Sequence, residues 1–269
     1  MMNNKPIGVF DSGVGGLTVL AAIMKELPDE DLVYFGDMGR TPYGPRSKDI
    51  IIQFTRQDVA FMLEQDVKFI VGACNSASAV AIDTVAAENA IGMLGVIKPG
   101  ARAAIRTTKN GKVGIIGTQA TIASDAYPKE IHEIDADIKV FSLACPLFVP
   151  LAEEGYQDKE ATYLIAEDYL KILRENDIDT LVLGCTHYPL LKEPIQKAVG
   201  DSVTIIDSAT FTATELKQYL EKNNLLKEES TPATYKYFVS DVPEKFVPVA
   251  ERFLGQRIEN IIRVDITKY

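Results

Sequence analysis

Lys68-Phe69-Ile70-Val71-Gly72-Ala73-Cys74-Asn75-Ser76-Ala77 and Thr180-Leu181-Val182-Leu183-Gly184-Cys185-Thr186-His187 share one plan: a short apolar run that halts at a cysteine followed by small polar residues. Short apolar runs bounded by such breaks read as buried strands. The strands expected are Lys68 to Ala73 and Thr180 to Gly184, each with a cysteine at its carboxyl end. The alanine-rich stretch from Cys74 to Ala90 has few breakers, so a helix is expected to start just after Cys74, and another after Thr186-His187.

Working outward, the same order of elements occurs twice. Ile7 to Phe10 reads as a strand, Asp11-Ser12-Gly13-Val14-Gly15-Gly16 as a glycine loop and Leu17 to Leu27 as a helix. Leu32 to Phe35 is a second strand, Arg40 to Ser47 a loop broken by proline and glycine, and Asp49 to Gln65 has helical apolar spacing before the Cys74 strand. Further on come a strand at Val113 to Ile116, a Gly117-Thr118 loop, a helix through Thr121 to Ile131, a strand at Lys139 to Leu143 and a helix at Ala161 to Glu175 before the Cys185 strand. From Gly8 to Cys74 is 66 positions and from Gly114 to Cys185 is 71, which puts the cysteines at equivalent places in two similar units. Alternating strands and helices predict an α/β protein with parallel-rich sheets flanked by helices, and functional groups at the carboxyl ends of strands. The architecture expected is a pseudo-twofold duplication, two similar α/β domains with the site between them. The tail from Asp207 to Tyr269 adds helices and strands, with an alternating segment at Tyr235 to Val239 and an apolar run at Ile258 to Val264. Lys222 to Pro232, charged and polar, reads as a solvated connection.

At 269 residues the chain is long enough for two domains, given about 150 residues each. Hydrophobic residues at 46% and charged residues at 25% are those of an ordinary globular protein rather than a disordered one. A formal charge of −10 without a basic patch argues against a nucleic-acid partner. No export signal is visible near the start and no apolar run reaches the roughly 18 residues of a membrane span, so no membrane association and a cytoplasmic location are expected. Three cysteines without zinc-type spacing suggest neither a disulfide framework nor a metal site.

A free cysteine is more often a small buried hydrophobe than a reactive group. Cys74 and Cys185 differ because each is expected at a helix start, where the positive end of the helix lowers a thiol pKa. Cys145, between Ala144 and Pro146, has no such surroundings and reads as structural. His187, two positions after Cys185, is suited to proton transfer near neutrality, whereas His132 in Glu130-Ile131-His132-Glu133 reads as surface. The Asp11 to Gly16 loop lacks both Gly-x-Gly-x-x-Gly spacing and a P-loop lysine. Its glycines could bring backbone amides to a small carboxylate and Asp11 could meet an ammonium, or the loop is simply a tight turn with Asp11 and Ser12 as caps. The Gly36 to Gly44 loop is expected to wall the site, and Glu153-Glu154-Gly155 is either a counterpart in the second half or charged helix surface.

Two thiols from pseudosymmetric halves suit a substrate gripped between them, one sulfur on each face of a reacting carbon, so that one removes a proton and the other returns one. Ile7-Gly8-Val9-Phe10-Asp11-Ser12-Gly13-Val14-Gly15-Gly16-Leu17, Tyr43-Gly44, Ala73-Cys74-Asn75-Ser76-Ala77 and Gly184-Cys185-Thr186-His187-Tyr188-Pro189-Leu190 together resemble bacterial glutamate racemases, a likeness that runs to Asp207-Ser208. The resemblance implies cofactor-independent interconversion of L- and D-glutamate, supplying D-glutamate for peptidoglycan. It implies two α/β domains, residues 1–97 with 207–269 and residues 98–206. It makes Cys74 and Cys185 the acid/base pair, with Asp11, Glu153 and His187 assisting. Asp11, Ser12, Tyr43, Gly44, Asn75, Ser76, Thr186 and His187 would then hold substrate, with Thr118 and Thr121 as further contacts. Relatives commonly carry threonine where Ser76 stands, which keeps the hydroxyl. Alternatives stay open: a pyridoxal-dependent racemase would need a Schiff-base lysine, and Lys98 has no supporting phosphate loop and reads as part of the interdomain crossover. A Cys-His hydrolase would use Cys185 and His187 and dispense with Cys74. A binding protein that kept the fold, or an aspartate racemase, are the others. A homodimer is expected because dimers are the commonest homo-oligomers.

Overall fold

Both faces of every central strand are apolar, and the fold follows from covering them. The computed structural model describes residues 2–228, 231–242 and 246–269, so Glu229 and Ser230 of the connection expected at 222–232 lie outside the described residues. The first unit runs β1 (Ile7–Asp11), α1 (Leu17–Glu26), β2 (Leu32–Gly36), α2 (Lys48–Glu64), β3 (Phe69–Gly72), α3 (Asn75–Val80), α4 (Ile82–Ala87) and β4 (Gly92–Gly95). Helix α5 (Ile97–Thr107) then leads to β5 (Lys112–Gly117), α6 (Gln119–Ala123), α7 (Ala126–Ile134), β6 (Lys139–Ala144), α8 (Phe148–Glu153), α9 (Glu160–Glu175), β7 (Thr180–Gly184), α10 (Lys192–Val199) and β8 (Thr204–Asp207). The tail supplies α11 (Ser208–Lys222), β9 (Tyr235–Val239), α12 (Phe246–Leu254) and β10 (Ile261–Arg263).

These strands form two wholly parallel sheets, ordered β10-β9-β2-β1-β3-β4 and β6-β5-β7-β8. The order β2-β1-β3-β4 in one matches β6-β5-β7-β8 in the other, so the repeat in the sequence is a repeat in topology. Successive side chains in a strand point to opposite faces. Ile7 and Val9 accordingly join one cluster while Phe10 joins another with Phe35, Phe61 and Ile70. In the second sheet Val113 and Ile115 meet Ala101, Ala104 and Ile131, while Ile116 turns to a cluster that continues into the first unit. Strands buried on both faces are what parallel sheets require, which is why they read as near-continuous apolar runs.

Two expectations change. The helix foreseen from Cys74 to Ala90 breaks at Ala81, whose φ of −123° departs from helical geometry and separates α3 from α4. The helix through Thr121 to Ile131 is divided by Asp125, left-handed at φ 58°. Propensity cannot foresee such breaks, because tertiary packing overrides it. Lys98 lies in α5, which carries the chain from one sheet to the other, with its ammonium ion-paired to Asp83 at 2.9 Å. The return crossing, α11, packs against α5.

Buried polar links fasten the tail to the first sheet. Glu30 and Lys68, 2% exposed each, form an ion pair at 2.6 Å. The second Glu30 oxygen accepts the Lys227 backbone N–H at 2.8 Å, and Asp31 accepts Thr234 N–H and hydroxyl at 2.6 and 2.7 Å. Removing one partner of a buried pair strands the other charge. Glu30→Ala is expected to lower the unfolding free energy by about 3–5 kcal/mol. Glu88→Ala, which opens the exposed Arg56–Glu88 pair, should change it little. Urea unfolding of both variants checks the contrast.

Candidate active site

The carboxyl ends of β1, β3, β5 and β7 converge, and the groups they present come from both sheets. Asp11 ends β1 and is fully buried. Its Oδ2 accepts Gly13 N–H at 2.9 Å, and its Oδ1 has no hydrogen-bond partner. Tyr34 donates its hydroxyl to Gly13 O at 2.7 Å and holds the loop. The Gly13 amide therefore serves Asp11. The need for glycine at position 15 lies elsewhere: a Cβ there would stand 2.3 Å from Thr186 Oγ1 and 2.6 Å from the His187 ring, so the two units could not approach as they do.

Cys74 caps α3, its Sγ accepting Ala77 N–H at 3.5 Å and lying 3.5 Å from Ser12 Oγ. The helix start was expected to lower its pKa. Burial and the neighbouring Asp11 carboxylate instead push the thiol up to about 12, against hydrogen bonds from Ser12 and Ala77. The Ala77 amide at the start of α3 does act in the expected direction, but burial outweighs it. Burial likewise raises the Asp11 carboxyl, with His187 and the backbone amides of the loop holding it back.

Cys185 directly follows β7, and the segment after it is a short 3-10 turn at Tyr188–Leu191 rather than an α-helix. Its Sγ is 3.8 Å from His187 Nδ1, and His187 Nε2 is 2.9 Å from Glu153 Oε1 at the end of α8. Burial works against charge on the imidazole. Hydrogen bonds and charge from Cys185 and Glu153 outweigh it, raising His187 from 6.5 to about 10. Thr186 Oγ1 is 3.5 Å from the same ring nitrogen, and Thr18 of α1 donates to Thr186 O at 3.3 Å.

Asn75 accepts Tyr127 O–H at 2.9 Å through Oδ1, while its buried Nδ2 has no partner. Ser76 Oγ is 2.8 Å from Thr118 Oγ1, which is 3.0 Å from Thr121 Oγ1, a row of hydroxyls across the two units. Gly44 O accepts Ala120 N–H at 2.9 Å, closing the loop after β2 onto α6. The Tyr43 phenol points away into a carboxylate cluster, so what this residue can offer the site is backbone. The structure links Ser12 to Cys74, Ser76 to Thr118 and Thr121, and Cys185 to Thr186, His187 and Glu153, with Gly15 against Thr186 and His187. Cys145 is buried in the core and His132 is exposed with its ring bonded to Ile138 O. Among the described residues no group of three His, Cys, Asp or Glu side chains is placed to hold a metal ion, and no helix is long and apolar enough to cross a membrane.

Asp37 and Arg40 belong to the loop expected to wall the site, but sequence reasoning missed Asp58, which meets them behind Tyr43. The available signal was Asp58 in α2, a carboxylate among Thr55, Val59, Phe61 and Met62 on the helix face that is buried.

The sequence pattern of the Asp/Glu/Hydantoin racemase family matches residues 39–216. The glutamate racemase of Geobacter metallireducens is 48% identical over 262 residues, 97% of each chain. Among solved structures, glutamate racemase from Francisella tularensis in complex with D-glutamate superposes with a TM-score of 0.94 at 40% identity, covering 99% of this chain and 100% of that one. The Escherichia coli glutamate racemase, in complex with L-glutamate and the activator UDP-MurNAc-ala, gives 0.78 at 28% identity over 97% and 98%. Two parallel sheets in this order, paired strand-end cysteines and likeness over nearly the whole length agree: the chain belongs to the glutamate racemase family of amino-acid isomerases.

Proposed function

We propose that this protein interconverts L- and D-glutamate between Cys74 and Cys185, in a closed cleft between two domains, residues 1–97 with 207–269 and residues 98–206. The observation that carries the reading is a pair of buried, unpartnered polar atoms beside Cys74: an acceptor, Asp11 Oδ1, and a donor, Asn75 Nδ2. A buried polar group without a partner is costly. An α-amino acid supplies both missing partners, its ammonium to Asp11 and a carboxylate to Asn75. Ser12, Ser76, Thr118, Thr121, Thr186 and the backbone of Tyr43-Gly44 complete the proposed contacts. The relatives bound to D- and L-glutamate support glutamate as the amino acid.

One thiolate takes the Cα proton. The electron pair enters the α-carboxylate as an enediolate held by the site's donors, and the opposite thiol returns a proton to the other face. No metal or organic cofactor enters these steps. The flanks are opposite in character. Cys74 has an acidic neighbour, and Cys185 lies beside His187, whose protonated form its surroundings favour. We infer that Cys74 rests as the thiol. An ammonium on Asp11 offsets the negative charge that raises Cys74, so substrate itself eases that group's ionisation. The product would supply peptidoglycan synthesis in the cytoplasm, and a homodimer is the proposed assembly, which sedimentation equilibrium tests.

In deuterium oxide, wild-type protein should racemise L-glutamate and place deuterium at Cα without any added cofactor. Cys74→Ala and Cys185→Ala should each reduce racemisation about 10²–10⁴-fold. Normal turnover by either variant rules out two thiols, and turnover of aspartate instead of glutamate changes the substrate.

His187 also makes stability depend on pH. Its folded pKa lies above its ordinary value, so its contribution is fully present below about 6.5 and disappears as pH rises towards about 10. The unfolding free energy of wild type minus that of His187→Gln should fall across this window. A flat difference from about pH 6 to about pH 10.5 would show that His187 carries no stabilising proton.

A further inference from the structure

Behind the Tyr43-Gly44 loop lies a buried cluster that belongs to neither cysteine. Tyr43 Oη stands 2.5 Å from Asp37 Oδ2 and 2.9 Å from Asp58 Oδ2. Arg40 donates through Nε to Asp37 Oδ2 at 2.6 Å and through Nη2 to Asp58 Oδ1 at 3.1 Å, and its Nη1 donates to Gln57. Ser240 of the tail donates to Asp37 Oδ1 at 2.7 Å and accepts Gly39 N–H at 2.8 Å. Both carboxyls are fully buried, and the Arg40 guanidinium lies 4.1 Å over the Phe54 ring.

Counting protons decides what Asp58 is. A phenol has one hydrogen, yet Tyr43 Oη contacts two carboxyl oxygens. With both carboxyls ionised, one of those contacts would bring lone pair against lone pair in the interior, with a single guanidinium facing two negative charges. A proton on Asp58 Oδ2 resolves both problems. Asp58 donates to Tyr43, Tyr43 donates to Asp37, Arg40 donates to the remaining carbonyl oxygen of Asp58, and Asp37 with Arg40 is neutral. The groups facing Asp58 are Asp37, Arg40 and Tyr43, with Asp11 further off. Burial and Asp37 raise its pKa well above the carboxylate range, while Arg40 and Tyr43 oppose this and Asp11 adds to it.

The cluster reaches the site through the loop that it holds. Thr41 packs where a Cβ on Gly13 would come within 3.1 Å of its hydroxyl, and Gly44 lies so near Thr118 that a Cβ would come within 2.8 Å of that side chain. Thr118 in turn touches Ser76, two residues after Cys74. We propose that Asp58 is a positioning residue, a neutral carboxylic acid whose proton clasps Tyr43 and so fixes the Tyr43-Gly44 backbone where substrate is held. The inference rests on the racemase reading for its kinetic consequence, and stands apart from it in the protonation of Asp58.

Asn in place of Asp58 presents an N–H donor to Tyr43 and a carbonyl to Arg40, as the neutral acid does. Asp58→Asn should keep kcat/KM within about twofold of wild type, while Asp58→Ala and Tyr43→Phe raise KM for glutamate about tenfold with a smaller change in kcat, as lost ground-state positioning does. Wild type minus Asp58→Asn infrared spectra near neutral pH should show the carbonyl stretch of a protonated carboxyl. That band needs neither turnover nor the alanine variant. Its absence, or Asp58→Asn as damaging as Asp58→Ala, overturns the neutral acid. Unchanged KM in a folded Asp58→Ala overturns positioning. If wild type fails to racemise glutamate, the functional reading falls while the infrared result still decides the state of Asp58.

Discussion

At Gly15 the backbone of one unit passes so close to Thr186 and His187 of the other that no side chain fits between them. This contact is the constraint on which the site depends. It lets Thr18 bond the Thr186 carbonyl and holds His187 within reach of the charge on Asp11, while both sulfurs are nearly sealed from water. In that low-polarity space each neighbouring charge weighs far more than it would at a surface. A larger residue at position 15 would push Thr186 and His187 away from the acidic flank.

Those flanks break the symmetry that the topology sets up. The two sheets share one strand order, and each places a cysteine after its third strand. One sulfur then meets a hydroxyl and feels the charge of a carboxylate, while the other meets an imidazole backed by Glu153. The repeated topology supplies two equivalent strand-end positions, and the different residues around them supply two different electrostatic environments. A reaction that runs both ways needs the first and is tuned by the second.

The central strands were legible because burial on both faces leaves little but Val, Ile, Leu and Phe, and each run ends where polar residues begin. β4 and β8 were not read. Gly92-Met93-Leu94-Gly95 is too short and glycine-bounded to stand out, and Thr204 to Asp207 mixes polar ends with two isoleucines. Helix α8 was hidden by Pro150 within it. In the site, strand-end residues announced themselves by position; the family resemblance named Glu153 and His187 only as assisting groups, and their pairing emerges from the structure. The lowered thiol pKa expected of a helix start is not what Cys74 shows, since the sequence reveals neither how deeply the sulfur is buried nor how near it lies to Asp11. The Asp37–Asp58 arrangement was invisible for the same reason: proton sharing depends on through-space contacts between a loop, a helix and the tail.

The tail's place in the first sheet bears on how the chain comes off the ribosome. β9 pairs with β2 along its whole length, from Leu32 with Tyr235 to Gly36 with Val239. Until residues beyond 230 have been made, β2 is an open edge of apolar residues, the kind of surface that invites pairing with another chain. The second sheet comes from a continuous stretch, Lys112 to Asp207, and lacks nothing. During synthesis the later-made unit can therefore finish before the earlier one, which leaves the nascent amino-terminal half as the part most in need of protection from aggregation.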